Sequence, residues 1–140
     1  EAHGGNHVAV SPVPEDQTHL YGIVGVGDDR AKVSPITSMV EKPPRGTAPS
    51  NLHITGRYIL QPEIFALLAR QERGSGGEIQ LTDAMITLSR QANQPFFAVR
   101  YDGRIYDCGS KIGFLVANIA YAMARDDLGP SLKAELRRLL

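Results

Sequence analysis

Met39-Val40-Glu41-Lys42-Pro43-Pro44 is an apolar strand pattern that stops on an acid and a base side by side. Two prolines follow, and proline has no N–H to give to a sheet ladder, so the strand ends there. Adjacent strand residues point to opposite faces, so Glu41 and Lys42 cannot both decorate one solvent face. A carboxylate and an ammonium at a strand end can form a polar floor for a ligand that carries hydroxyls and a phosphate. The same pair also suits a charged strand end that simply meets a loop.

Around this run the chain alternates strand and helix signals. His7-Val8-Ala9-Val10 reads as a strand, and residues 11–18, with Pro12 and Pro14, as a turn or loop. Tyr21-Gly22-Ile23-Val24-Gly25-Val26 reads as a second strand, ended by the turn residues Gly27-Asp28-Asp29. A third strand covers residues 36–41, and the proline-broken stretch 43–50 is expected to be irregular. Residues 52–60 give a fourth strand in which Gly56 marks a close backbone approach or a bulge. A helix is expected over 62–68, with Pro62 in its first turn where the missing N–H costs nothing. The glycine-rich Gly74-Ser75-Gly76-Gly77 reads as a flexible loop, and Ile79, Leu81, Met85, Ile86 and Leu88 predict a helix over about 80–91.

Residues 95–101 and 104–106 read as a hairpin around Asp102-Gly103. Ser110 is expected to cap a helix that Gly129-Pro130 breaks, with Ser131 capping a terminal helix over 132–140. At the other end, Glu1-Ala2-His3 before Gly4-Gly5 reads as the last turn of a helix and its glycine stop. The chain is therefore expected to be a piece of a longer protein.

Composition narrows the function. At 140 residues the chain suits a single mixed α and β domain with a moderate core. Lys plus Arg and Asp plus Glu both number 15, which makes no electrostatic case for nucleic acid or an anionic membrane. No apolar stretch approaches the roughly 20 residues that a spanning helix needs. The single cysteine, Cys108, excludes an internal disulfide framework and suits a reducing cytoplasm. It has no ligand-like spacing with His3, His7, His19 or His53, so no zinc site is expected, and it reads as a small core filler.

Four segments can carry chemistry. Glu41-Lys42 is the first. In Tyr21-Gly22, a glycine without Cβ lets a ligand reach the backbone, or merely eases sheet packing. In Gly77-Glu78-Ile79-Gln80-Leu81-Thr82-Asp83, the acids serve a site or favour a helix N-terminus. In Tyr106-Asp107-Cys108-Gly109-Ser110-Lys111, Asp107 stands between a strand signal and a helix start, a place from which α/β proteins present ligands. An aspartate there can hold Mg²⁺, which takes oxygen ligands and needs few protein groups when phosphates supply the rest. It can equally belong to the helix cap beside Ser110. There is no Gly-x-Gly-x-x-Gly or P-loop, so any nucleotide phosphates would be held from outside these residues.

Taken in order, Tyr21-Gly22-Ile23-Val24, Val40-Glu41-Lys42-Pro43, Ala48-Pro49-Ser50-Asn51-Leu52, Gly56-Arg57-Tyr58, Gly77-Glu78-Ile79-Gln80-Leu81-Thr82-Asp83-Ala84 and Asp107-Cys108-Gly109 resemble the C-terminal half of the bacterial UTP–glucose-1-phosphate uridylyltransferase (UDP-glucose pyrophosphorylase) family. The resemblance covers nearly the whole chain. It implies the C-terminal part of a Rossmann-like α/β nucleotidyltransferase fold, with a mixed sheet and C-terminal helices. It also implies attack of a sugar-1-phosphate oxygen on the α-phosphorus of UTP, with Mg²⁺. By resemblance, Glu41 accepts hydrogen bonds from glucose hydroxyls, the backbone at Gly22 contacts the sugar, Tyr21 belongs to the same substrate-binding set, and Lys42 is the catalytic cation that neutralises phosphate charge. Asp107 is one of two metal carboxylates, and Glu78 supports the substrate site.

Phosphoryl-group chemistry asks mainly for positioning and charge neutralisation, which these residue types supply. The family's N-terminal half, with its glycine-rich triphosphate loop and second metal aspartate, has no counterpart here. The chain is therefore expected to be inert alone and to form a homo-oligomer through exposed strand edges and apolar surface. A thymidylyltransferase, a non-catalytic sugar-phosphate-binding module and a structural oligomerisation module are the competing readings.

Overall fold

A computed structural model describes residues 3–28, 30–74, 77–91 and 94–139. The chain divides into two compact units, Glu1–Asp102 and Gly103–Leu140.

The first unit holds strands β1 (Asn6–Pro12), β2 (Gly22–Val26), β3 (Val33–Glu41), β4 (Leu52–Ile59) and β5 (Phe96–Arg100), with helices α1 (Glu63–Leu68) and α2 (Leu81–Ser89) between the last two strands. The strands follow each other in the order β1-β4-β2-β3-β5, and β5 returns to β1 to close a barrel. The β1–β5 ladder is parallel and the others are antiparallel, so the sheet is mixed, as expected. β1 shows the period-two alternation of a half-buried strand, with Asn6, Val8 and Val10 turned inward. In β2, Ile23, Val24 and Gly25 are all buried, so both of its faces are covered. Val8, Val10, Val24, Met39, Leu52, Phe96 and Ala98 pack against Ile64 of α1 and Ala84, Met85 and Leu88 of α2. Full burial of each Val, Leu, Ile, Met or Phe side chain contributes about 1.5–3 kcal/mol.

Several expectations are resolved here. Gly56 marks a bulge: Val8 pairs with Tyr58 and Val10 with Ile54, so β4 spends extra residues there. Gly56 takes φ +77° with open space where a Cβ would go, so conformation and not close approach calls for glycine. The stretch 43–50 is irregular, and it is pinned to β2 by Ser50 Oγ, which donates to the Val24 carbonyl at 2.6 Å and accepts from Leu52 N–H at 2.9 Å. Pro62 directly precedes α1, and α2 is shorter than expected, with Gln80 and Arg90 as its caps and Ile79 exposed before it.

A 3₁₀ helix, Glu15–Leu20, takes the second half of the stretch 11–18 where a turn or loop is expected. β3 starts at Val33, because Val33, Ser34 and Pro35 pair with β5. Residues 104–106 form no strand, because both edges of β5 are already taken by β1 and β3. Among the described residues, β3 beyond Pro35 is paired with β2 alone, over residues 36–41, which leaves its other edge open. The expectations at Glu1-Ala2, Asp29 and Ser75-Gly76 lie outside the described residues.

The second unit holds α3 (Lys111–Met123) and α4 (Gly129–Leu139). Ser110 caps α3 as expected, its Oγ accepting from Gly113 N–H at 3.0 Å. Gly129-Pro130 does not break a helix but opens one: proline is tolerated in the first turn, and Gly129 N–H donates to the Arg125 carbonyl at 2.8 Å. Ser131 is therefore inside α4 and is not its cap. Cys108 is exposed, contrary to the core role expected, because it sits on the turn that leads into α3. Ala117 is the buried residue of α3, whereas Ile112, Phe114, Leu115 and Tyr121 are all exposed. No helix among the described residues is long and apolar enough to cross a membrane.

Candidate functional site

Where β3 ends and β2 begins, Glu41 and Gly22 are partners in the antiparallel ladder. Met39, two residues before Glu41, is buried in the core, so strand alternation turns Glu41 to the face covered by α2. A Cβ built on Gly22 would lie 2.9 Å from Glu41 Oε2, 3.1 Å from Ile54 Cδ1 and 3.2 Å from Thr82 Oγ1. The carboxylate, an isoleucine methyl and a buried hydroxyl from the first turn of α2 thus crowd over one stretch of bare backbone. Tyr58 of β4 reports the same charge: burial, and then the negative charge of Glu41, hold its phenol above the ordinary value.

Lys42 leaves the strand at once. Its φ of +45° is the single positive value among described residues other than glycine. The left-handed region costs a residue with a Cβ about 1–2 kcal/mol. What holds it there is the hydrogen bond from Lys42 N–H to the Tyr21 carbonyl, 3.1 Å, and Pro43 behind it, which is fully buried. The Lys42 side chain is exposed, one residue beyond the Glu41 carboxylate. Tyr21 packs its ring on His53, with centroids 4.9 Å apart. Burial lowers the His53 pKa, and its Nδ1 is buried without a hydrogen-bond partner among the described residues.

The structure thus brings Tyr21, Gly22, Glu41 and Lys42 together at one strand end. Glu78 is placed differently: its side chain is exposed and its carbonyl accepts from Gly74 N–H at 2.9 Å, closing the loop before α2. Asp107 belongs to the second unit, where Oδ1 accepts from Gly109 N–H at 2.9 Å in a tight turn that leads to the Ser110 cap. Its carboxylate is exposed, and its hard oxygens suit Mg²⁺ by type. Among the described residues no group of three or more His, Cys, Asp or Glu gathers to hold a metal.

Thr82 and Ile54 complete the cluster, and the partly exposed Tyr58 feels the Glu41 charge from nearby; none of the three is singled out by the sequence reading. Thr82 and Tyr58 lie inside runs already noted, 77–83 and 56–58, but their charged and glycine neighbours carried the local signal.

A strand-end carboxylate and lysine beside bare backbone, on a mixed sheet backed by helices, define a class. Residues 1–123 match the nucleotidyl transferase family, and the chain belongs to it. Within that family the chain is similar to the UTP–glucose-1-phosphate uridylyltransferase of Bacillus subtilis strain 168, with 44% identity over 135 residues, 94% of this chain and 46% of the relative. Its fold resembles a UDP-glucose pyrophosphorylase solved in complex with UDP-glucose, at TM-score 0.76 and 38% identity over 86% of this chain and 45% of that one. A UTP-bound enzyme of the same name from Acinetobacter baumannii gives TM-score 0.80 and 37% identity over 97% of this chain and 46% of that one. The chain spans about half the length of the curated relatives it matches, 46% of the Bacillus subtilis protein and 48% of one from Staphylococcus epidermidis.

Proposed function

We propose that this chain supplies the sugar-phosphate side of a uridylyltransferase site, for the transfer of UMP from UTP to glucose 1-phosphate. A phosphate oxygen of glucose 1-phosphate attacks the α-phosphorus of UTP. The bond from that phosphorus to the β-phosphate bridge breaks, and UDP-glucose and pyrophosphate leave. The observation that carries the reading is the Glu41 carboxylate lying over the Gly22 backbone, 2.9 Å from where a Cβ would stand, with Lys42 next in the chain. Glu41 accepts hydrogen bonds from glucose hydroxyls, each charge-assisted bond contributing about 1.5–3 kcal/mol. The Gly22 backbone lets the sugar ring approach, and Lys42 neutralises the phosphate and the charge that grows on the α-phosphoryl group. Mg²⁺, when bound, neutralises phosphate charge, and Asp107 is the residue of this chain that would hold it.

The similarity to uridylyltransferases supports the choice of base and sugar. The same reading makes the chain alone inert, since it spans about half of those relatives. It also includes a homo-oligomer, supported by the exposed Ile112, Phe114, Leu115 and Tyr121 and by the open edge of β3, and a reducing cytoplasmic setting, supported by the exposed free Cys108.

Titration calorimetry of the 140-residue chain with glucose 1-phosphate tests the reading. Binding that Glu41→Gln abolishes is expected, with no UDP-glucose formed when UTP and Mg²⁺ are added. Absence of binding by the folded chain, or binding indifferent to Glu41→Gln, would overturn it.

A further inference from the structure

His53 is the second residue of β4 and lies between two neighbours, pairing with Ile23 of β2 on one side and Ser11 of β1 on the other. Leu52 is buried in the core, and Ile54 packs against it and approaches Gly22. Alternation therefore sends His53 to the opposite face of the sheet, away from the Glu41 carboxylate. There its ring meets Tyr21, 4.9 Å between centroids and tilted by 50°. Tyr21 has two connections to the site. It is the residue before Gly22, and its carbonyl accepts the Lys42 N–H at 3.1 Å, the bond that holds Lys42 in its left-handed conformation.

The imidazole gains little for itself in this position. Its Nδ1 is buried and has no hydrogen-bond partner among the described residues, and burial disfavours its charged form. A buried polar atom left unpaired is a cost to folding, so an apolar ring of the same shape would serve stability at least as well. What the His53 ring does supply is a flat surface against the Tyr21 ring, on the face of the sheet opposite to the Glu41 carboxylate.

We propose that His53 is a positioning residue for Lys42, acting through Tyr21: its ring fixes the Tyr21 carbonyl, and the carbonyl fixes the strained lysine that faces phosphate. The consequence for ligand binding rests on the phosphate role of Lys42 in the reading above. The mechanical part stands without it.

Amide hydrogen exchange of the folded chain, measured residue by residue by NMR, separates the two. His53→Ala removes the ring, and exchange at the Lys42 amide should accelerate about tenfold while the Leu88 amide in the core keeps its wild-type rate. His53→Phe restores a ring and should return Lys42 to the wild-type rate. In the same samples, affinity for glucose 1-phosphate should fall about tenfold in His53→Ala and recover in His53→Phe. Unchanged Lys42 exchange in a folded His53→Ala chain would overturn the inference, as would equal acceleration at Lys42 and Leu88, or a loss that phenylalanine does not rescue. If wild-type chain shows no affinity for glucose 1-phosphate, the functional reading fails and the exchange result still decides the role of His53.

Discussion

Gly22 and Glu41 face each other across the β2–β3 ladder, and the Glu41 carboxylate occupies the space that a side chain at Gly22 would need. Glycine at this position is a matter of contact and not of backbone conformation. Gly22→Ala would push its methyl against Glu41 Oε2, Ile54 Cδ1 and Thr82 Oγ1, all within 3.2 Å. Overpacking of this kind costs about 1–3 kcal/mol, and the flexible Glu41 side chain is the group that gives way most easily. A modest drop in the urea midpoint is therefore expected together with complete loss of glucose 1-phosphate binding. An alanine variant that binds normally would show that the carboxylate does not act from where it stands.

Lys42 joins strain to charge, and two substitutions separate them. At φ +45° a residue with a Cβ is disfavoured and glycine is not. Lys42→Gly should therefore be more stable to denaturant than Lys42→Ala by about 1 kcal/mol. In the complete enzyme carrying this chain, both should lose at least about tenfold in turnover, or about 1.4 kcal/mol of barrier, because both lack the ammonium. Equal stabilities would mean that the left-handed conformation is not held in solution, and retained turnover would remove Lys42 from the chemistry.

Tyr58 can be used to read the charge of Glu41 directly. Burial raises its pKa above 10.0, and the Glu41 carboxylate raises it further. Because the folded-state value lies above the unfolded one, the neutral phenol adds stability that is complete below pH 10.0 and is lost as pH climbs through the folded value. Glu41→Gln should shift the Tyr58 titration downward, seen by NMR at the labelled phenol carbon, but not back to the ordinary value, since burial persists. A titration that does not move would place Glu41 away from Tyr58.

These contacts also show which parts of the site could be read before the fold. The stop at Glu41-Lys42-Pro43 and the bare backbone of Gly22 are local facts, since proline withholds its N–H and glycine lacks a Cβ wherever they occur. Thr82 and Tyr58 join the site only because Met85 and Leu88 seat α2 on the sheet and the Gly56 bulge re-registers β4. Both are long-range packing outcomes with no local signature. The hairpin expected at Asp102-Gly103 fails for a related reason. Turn chemistry is local, but a return strand needs a free edge, and β1 and β3 occupy both edges of β5. A cysteine without ligand-like spacing to a histidine suggests a core filler, whereas the exposure of Cys108 follows from the turn that starts α3.

Asp107 offers the last test, because its structural and chemical duties fall on different atoms. Oδ1 accepts the Gly109 N–H at 2.9 Å and shapes the turn into α3. Asparagine keeps an acceptor oxygen there, so Asp107→Asn should leave the turn and the Ser110 cap intact, with unchanged helical circular dichroism. What it removes is the negative charge that strengthens the hold on a hard divalent cation. In the complete enzyme, the Mg²⁺ concentration for half-maximal activity should then rise at least about tenfold, while activity returns at saturating metal. Loss of activity that no metal concentration restores, with the helix preserved, would instead place Asp107 in contact with substrate. An unchanged Mg²⁺ profile would leave it as a turn residue and require the metal to be held entirely from outside this chain.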